Sequence, residues 1–180
     1  LPVSVALGEL TDWDPDLELD WTGVAFAKIG LARAGPDWID RWRQLADKLG
    51  NHTSASFSWV AVSYIDWRGA CSPDPETVID VAASLPNCQG VLFDTWDKSS
   101  AERIDLGWSS CVSRAKTLGL FVAVAGSLDS SRIEKLAELK PDIWAVRGAA
   151  CVGGQRDALI DPDRVARLAD LVRHLSSQSV

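Results

Sequence analysis

Five apolar runs in this chain break off into charged or small polar residues, and those breaks are where chemistry can be sought. Ala25, Phe26 and Ala27 run into Lys28, Ile29 and Gly30. The run through Val60, Ala61 and Val62 reaches Tyr64 and Asp66. Val91, Leu92 and Phe93 run into Asp94 and Thr95, with Lys98 close behind. The last two runs give way to Gly126 and Ser127, and to Arg147 and Gly148. Parallel α/β folds place catalytic groups at the carboxyl ends of their strands, where the loops begin.

Each break suits a particular chemistry. A lysine set among Phe26, Ala27 and Ile29 is partly desolvated. Desolvation disfavours the ammonium, and a neutral amine is either a general base or an imine-forming nucleophile. The plainer alternative is a lysine whose stem lies on the strand while its head reaches water. Asp94 and Lys98 stand four apart, so a helical turn would pair them, as a working pair or as a surface ion pair of little weight. Asp66 reads equally as a site residue or as the entry to a helix. The glycines at 126, 148, 153 and 154, with Ser127 and Arg147 beside them, suit an oxyanion. Glycine lets backbone N–H groups approach closely, and barrels often build a phosphate site from the loops after their last two strands. The alternative is a pair of glycine-rich turns.

The elements that would position these groups are legible from periodicity. Residues 3–7, 24–29, 59–65, 90–93, 120–125 and 143–146 are short and almost continuously apolar. That pattern predicts strands covered on both faces, as in parallel sheets. Helical spacing predicts a helix opened by Pro36 and ended by Gly50, then helices over 75–85, 101–118 and 130–139. A last helix should be capped by Asp161 with Pro162 at its first position. Strand–helix alternation implies a parallel sheet with right-handed crossovers. Two architectures fit: an open doubly wound sheet, or six of the eight strands of a (β/α)8 barrel. The chain opens at Leu1, enters a strand at once and contains no methionine. This favours the barrel, with its first two units preceding Leu1. The expected fold is therefore an α/β TIM-barrel type in which residues 1–180 form a single domain carrying strands three to eight.

Composition narrows the function. The chain is 47% hydrophobic and 24% charged, with net charge -7 and pI near 4.8. So acidic a chain does not favour nucleic acid or anionic membrane through its overall field. Its apolar runs are too short to span a bilayer, and no basic-then-apolar leader opens it. Cys71, Cys88, Cys111 and Cys151 show no CxxC spacing and no neighbouring histidine. They read as free thiols of a reducing compartment, so a cytoplasmic protein with no metal and no cofactor is expected. His52 and His174 lie in polar stretches that suit neither a ligand nor a base. The acidic run from Thr11 to Asp20 reads as a solvated loop rather than a cation site.

Taken together, these motifs resemble the (5-formylfuran-3-yl)methyl phosphate synthase family. The resemblance lies in Ala27-Lys28-Ile29-Gly30, Leu92-Phe93-Asp94-Thr95 with Lys98, Ala125-Gly126-Ser127, and the run from Arg147 through Gly148, Cys151, Gly153 and Gly154 to Arg156, Ile160, Asp161 and Pro162. It implies a metal-free, lyase-type condensation of two glyceraldehyde 3-phosphate molecules to a furan aldehyde phosphate, with loss of phosphate and water. This belongs to methanofuran biosynthesis and one-carbon metabolism. It implies that Lys28 is a base and that Asp94 and Lys98 take part. The family's imine-forming lysine belongs to a strand before Leu1, so this chain alone is expected to turn over triose phosphate slowly or not at all. The family's Cys-Lys-Gly-Gly-Asp-Arg loop reads Cys151-Val152-Gly153-Gly154-Gln155-Arg156 here, which removes a cation and implies weaker phosphate binding. Two further readings stand beside the synthase: a non-catalytic barrel that binds a phosphorylated metabolite or a partner protein, and an aldolase-like enzyme in which Lys28 itself forms the imine. The expected partner is a small phosphorylated molecule; homo-oligomerisation is left open.

Overall fold

The computed structural model describes residues 2–14, 20–52, 57–97 and 108–177. Among these, six strands make one all-parallel sheet in sequence order: β1 (Val3–Glu9), β2 (Val24–Gly30), β3 (Ser58–Tyr64), β4 (Cys88–Asp94), β5 (Phe121–Val124) and β6 (Ile143–Trp144). The sheet is curled into a half-barrel, with β1 and β6 as its two edges. Six α-helices are described: α1 (Trp38–His52), α2 (Trp67–Ala70), α3 (Pro75–Ser84), α4 (Trp108–Thr117), α5 (Ser130–Lys135) and α6 (Pro162–Ser177).

Alternation along the strands sorts side chains into two layers. Ala27, Ile29, Trp59, Ala61, Val91, Phe93, Val122 and Val124 join the core shared with helix residues such as Trp42, Val78, Trp108, Ile133 and Leu168. The alternate positions Val60, Val62, Tyr64, Leu92 and Ala123 form a second, smaller cluster on the inner face, flanked by Phe26 and Phe121. Lys28 and Asp94 share the parity of this inner face. Gly90 leaves room there: a side chain at 90 would run into the Phe121 ring, which packs edge-on to Phe26 at 5.4 Å. Several of the tryptophans serve packing: Trp38 stacks on Trp42, which meets Trp59 of β3 edge-on. The four cysteines are unpaired.

Several local expectations are corrected. β1 is not covered on both faces: it is a sheet edge whose Val3 is 54% exposed, as is 45% of Ile143 on the opposite edge. Edge strands lack a neighbour on one side. α1 begins at Trp38, after a turn holding Pro36, and runs through Gly50 to His52. One glycine costs only about 1 kcal/mol inside a helix, which packing of Trp42 and Leu45 overrides. The helix foreseen over 130–139 divides into α5 and a 3-10 turn, Ala137–Leu139. The 101–118 helix is seen as α4, and 101–107 lie outside the described residues. The short α2 after β3 begins directly after Asp66, one of whose two readings was a helix entry. Residues 15–19 of the acidic run are likewise outside the described residues. Among the described residues, no helix is long and apolar enough to cross a membrane.

The start of α3 gives a measurable consequence. Asp74 caps it, accepting from the Thr77 N–H at 3.0 Å and the Thr77 hydroxyl at 2.6 Å. The Thr77 side chain leads the interactions that hold the Asp74 carboxyl below its ordinary 3.8. A depressed carboxyl pKa adds stability that is present above the unfolded value and lost as pH falls through the folded one. Asp74→Ala should therefore cost about 1 kcal/mol in urea unfolding at neutral pH. The difference from the unmodified chain should shrink below pH 3.8.

Candidate functional site

A cleft of about 970 Å³ opens at the carboxyl ends of the strands. Its walls include Lys28 of β2, Asp94 at the end of β4, Gly126 and Ser127 after β5, and Arg147, Gly148 and Gly154 after β6. Seven of the residues picked out in the sequence thus converge on one space. Asp66 and Gly153 are not among its walls, and Lys98 lies outside the described residues.

Lys28 sits two residues inside β2 rather than at its tip. Its Nζ donates to the Ser4 hydroxyl of β1 at 2.7 Å. Burial alone pushes its pKa below the ordinary 10.5. This is the direction that populates the neutral amine. Asp94 uses one carboxylate oxygen to accept the Thr95 N–H at 2.7 Å, which turns the chain sharply after β4. Asp66 stands at the entry to α2, as one of its two sequence readings has it, but its side chain does not cap that helix. Its two oxygens accept the N–H groups of Trp96 and Asp97, both at 2.8 Å, so it anchors the loop that follows Asp94. With both oxygens so engaged, and with a negative charge of its own, Asp66 is not placed to hold a phosphate.

The glycine loops are also built differently from expectation. Gly126 sits at φ 100, with the Thr95 side chain 2.9 Å from where a Cβ would lie, so only glycine fits between the ends of β4 and β5. Ser127 beside it holds φ 52, an uncommon conformation for a residue with a side chain. Arg132 of α5 donates to the Ser127 carbonyl at 2.9 Å and to that of Gly126 at 3.4 Å, fixing this turn. After β6, the amides were expected to converge on one anion. Instead most bond within the loop: Ala150 to Arg147, Cys151 to Gly148, Val152 to Leu159, Gly154 to Cys151 and Gln155 to Val152. Tight 3-10 turns satisfy their own donors, so few remain for a ligand. The N–H groups of Gly126, Ser127, Gly148 and Ala149 have no acceptor among the described residues. Val152 is exposed and lies off the cleft walls.

Two groups escaped sequence reasoning. The first is Glu9. A bulge at Gly8, φ 81, shifts the β1–β2 register between Ala6 and Glu9. Strict alternation would align Glu9 with Val5 and Leu7, which face the helices; the extra residue turns it inward. There its carboxylate accepts the Tyr64 hydroxyl at 2.6 Å and the Ala32 N–H at 2.7 Å. Gly30 makes the space, since any Cβ there would overlap the Glu9 carboxylate. The Tyr64 ring is closed over by Trp96, edge-on at 5.5 Å, which in turn lies under the Arg33 guanidinium. A glycine followed by an acid at the end of an apolar strand was the available signal. The second group is a set of arginines, Arg156, Arg164 and Arg167, that join Arg147 on the cleft walls. Two of them lie three apart on α6, a spacing that places side chains on one helix face.

Tyr64 is the sole tyrosine, which makes the Glu9 pair directly observable. Burial above all, then the Glu9 hydrogen bond and the charges of Glu9, Asp94 and Asp66, hold its phenol well above the ordinary 10.0. The stability this confers is complete below pH 10, the unfolded value, and is lost as pH climbs through the folded one. Alkaline absorbance titration should show no tyrosinate at pH 10. In Glu9→Gln the rise should move towards that value while staying above it, because burial persists. A wild-type rise centred at pH 10 would mean that the pair does not form.

Comparison with known proteins places this architecture. The family model described as 4-HFC-P synthase matches residues 1–169. A (5-formylfuran-3-yl)methyl phosphate synthase of Methanopyrus kandleri is 36% identical over 86% of this chain and 64% of its own length. Proteins of the same name from Methanothermobacter thermautotrophicus and Methanocaldococcus jannaschii are 29% and 27% identical, over 84% and 96% of this chain. The chain spans 66% and 78% of those two relatives. A match that runs from β1 into α6 takes in every wall of the cleft, and the chain belongs to the (5-formylfuran-3-yl)methyl phosphate synthase family.

Proposed function

We propose that this chain carries the reacting end of an enzyme that condenses two glyceraldehyde 3-phosphate molecules to (5-formylfuran-3-yl)methyl phosphate, a step of methanofuran biosynthesis. The observation that carries the reading is Lys28, an amine whose pKa is depressed by burial, in one cleft with Asp94 and both glycine-rich turns. Furan formation from two aldehydes needs a carbon–carbon bond, a ring closure and eliminations of phosphate and water. Each elimination needs a base for a proton next to a carbonyl or imine, and an acid for the departing oxygen. A lysine whose pKa is lowered by burial gives up its proton more readily than an exposed one, and as the free amine it can take the carbon-bound proton. Asp94, fixed at its Thr95 amide, shuttles protons for the oxygens that leave. Lys98 completes the set in this reading. The cleft's cations, Lys28 with Arg147, Arg156, Arg164 and Arg167, outnumber the carboxylates of Asp94 and Asp129 five to two, which favours phosphorylated substrates in a chain of net charge -7.

A second reading, a phosphate-binding protein without turnover, is favoured by one feature. Val152 is exposed in the loop after β6 and brings no charge to it. Incubation with glyceraldehyde 3-phosphate, followed by furan absorbance, separates the two. Turnover should rise with pH as the amine loses its proton, with a midpoint below 10.5. Lys28→Met should lower it by about 100-fold or more, the usual contribution of a positioned base. Phosphate binding with no turnover at any pH, even when a segment carrying the family's imine-forming lysine is supplied, supports the second reading. Borohydride reduction adds a further check: an adduct on Lys28 would make that lysine the imine nucleophile of an aldolase-like enzyme.

A further inference from the structure

The phosphate seat foreseen in the loops is mostly self-satisfied, yet the cleft end beside it is rich in cations. Five amides between residues 150 and 155 donate to carbonyls of their own loop or its return strand. The positive charge at this end is carried instead by guanidinium groups. Arg164 is steered by Asp161, 3.6 Å from Nε, and by the Ala149 carbonyl, 3.5 Å from Nη1. Its Nη1 also lies 3.9 Å from where a Cβ on Gly154 would be, so the α6 side chain reaches back over the glycine turn. Arg156 and Arg167 line the same space and have no side-chain partner among the described residues. The one carboxylate on this side of the walls, Asp129, is engaged as the cap of α5, accepting the Arg132 N–H at 2.9 Å. By contrast Arg173, on the same helix but off the cleft, is paired with Asp170 at 2.9 Å. Within the cleft, Asp161 and the Ala149 carbonyl orient Arg164 over the glycine turn, while Arg167 keeps its guanidinium without a side-chain partner among the described residues.

We propose that Arg156, Arg164 and Arg167 form a side-chain anion subsite for a phosphate monoester, separate from the amides of Gly126, Ser127, Gly148 and Ala149. Guanidinium forks match the geometry of a phosphate and bind it through charge-assisted hydrogen bonds. Two anion seats in one cleft suit a reaction that must hold two phosphorylated molecules at once. In this respect the inference rests on the function proposed above.

Inorganic phosphate is the probe, titrated calorimetrically into the whole chain and into Arg164→Gln/Arg167→Gln. Glutamine keeps chain length and helix propensity, and melting curves check that the variant folds. The double variant should bind phosphate at least about 10-fold more weakly, with a shallower salt dependence, as expected on losing two charge-assisted contacts. Arg173→Gln should stay within about twofold of the unmodified chain, since screening removes most of a distant charge's effect. Unchanged affinity in the double variant, an equal loss in Arg173→Gln, or no measurable phosphate binding by the unmodified chain overturns the subsite. Turnover of glyceraldehyde 3-phosphate alongside any of those results leaves the proposed reaction standing and the subsite fallen. Arginine-dependent phosphate binding without turnover does the reverse.

Discussion

The carboxylate of Glu9 ties three strand ends together, and the site depends on that tie. It leaves β1 through a bulge, takes the Ala32 amide just past β2, and takes the hydroxyl of Tyr64 at the end of β3. A half-buried carboxylate loses hydration, and hydrogen bonds to both oxygens offset the loss. Asp66 repeats the device one strand on, linking the end of β3 to the two amides after Asp94. Parallel strands pair along their length, but nothing in the ladder holds their ends beyond the last rung. Two acids at successive strand ends do so here, and they turn a sheet edge into a rim. Gly30 and Gly126 then follow as necessities of space, because a Cβ at either would meet the Glu9 carboxylate or Thr95.

Across the cleft the electrostatics divide. At the β2 side, an amine is desolvated enough for its pKa to fall, and its hydrogen bond is to a neutral hydroxyl rather than to a carboxylate. At the β6–α6 side, guanidinium groups line the wall and present forked N–H donors. The first arrangement suits proton transfer and the second suits anion binding. The separation matters because a phosphate set beside Lys28 would raise its pKa and undo what burial achieves.

The apolar runs alone determined the parallel α/β class, the order of six strands and the carboxyl-end location of the site. The physical reason is that burial on a parallel sheet writes itself into continuous runs, and the residue that breaks such a run stands where the strand meets solvent. Lys28, Asp94, Gly126, Ser127, Arg147, Gly148 and Gly154 were legible in this way, and they line one cleft. Helix ends were less legible, as at Gly50 and around residues 136–137, because packing overrides local propensity there. What only the tertiary structure decided was the partner of each group. Glu9 lies 55 residues from the hydroxyl it accepts, and Asp66 about 30 from the amides it anchors. No local pattern encodes those distances; a bulge at Gly8 reverses the face that alternation would assign to Glu9. Within the loop after β6, five amides between residues 150 and 155 bond inside the turn, whereas those of Gly126, Ser127, Gly148 and Ala149 have no acceptor among the described residues, and no sequence pattern divides the two sets. Glycine content reports that a backbone can bend, whereas whether its donors turn outward or bond within the turn is settled by the folded loop. The arginines of α6 carried no signal in the sequence, since their approach to the cleft comes from how that helix packs against the end of the sheet.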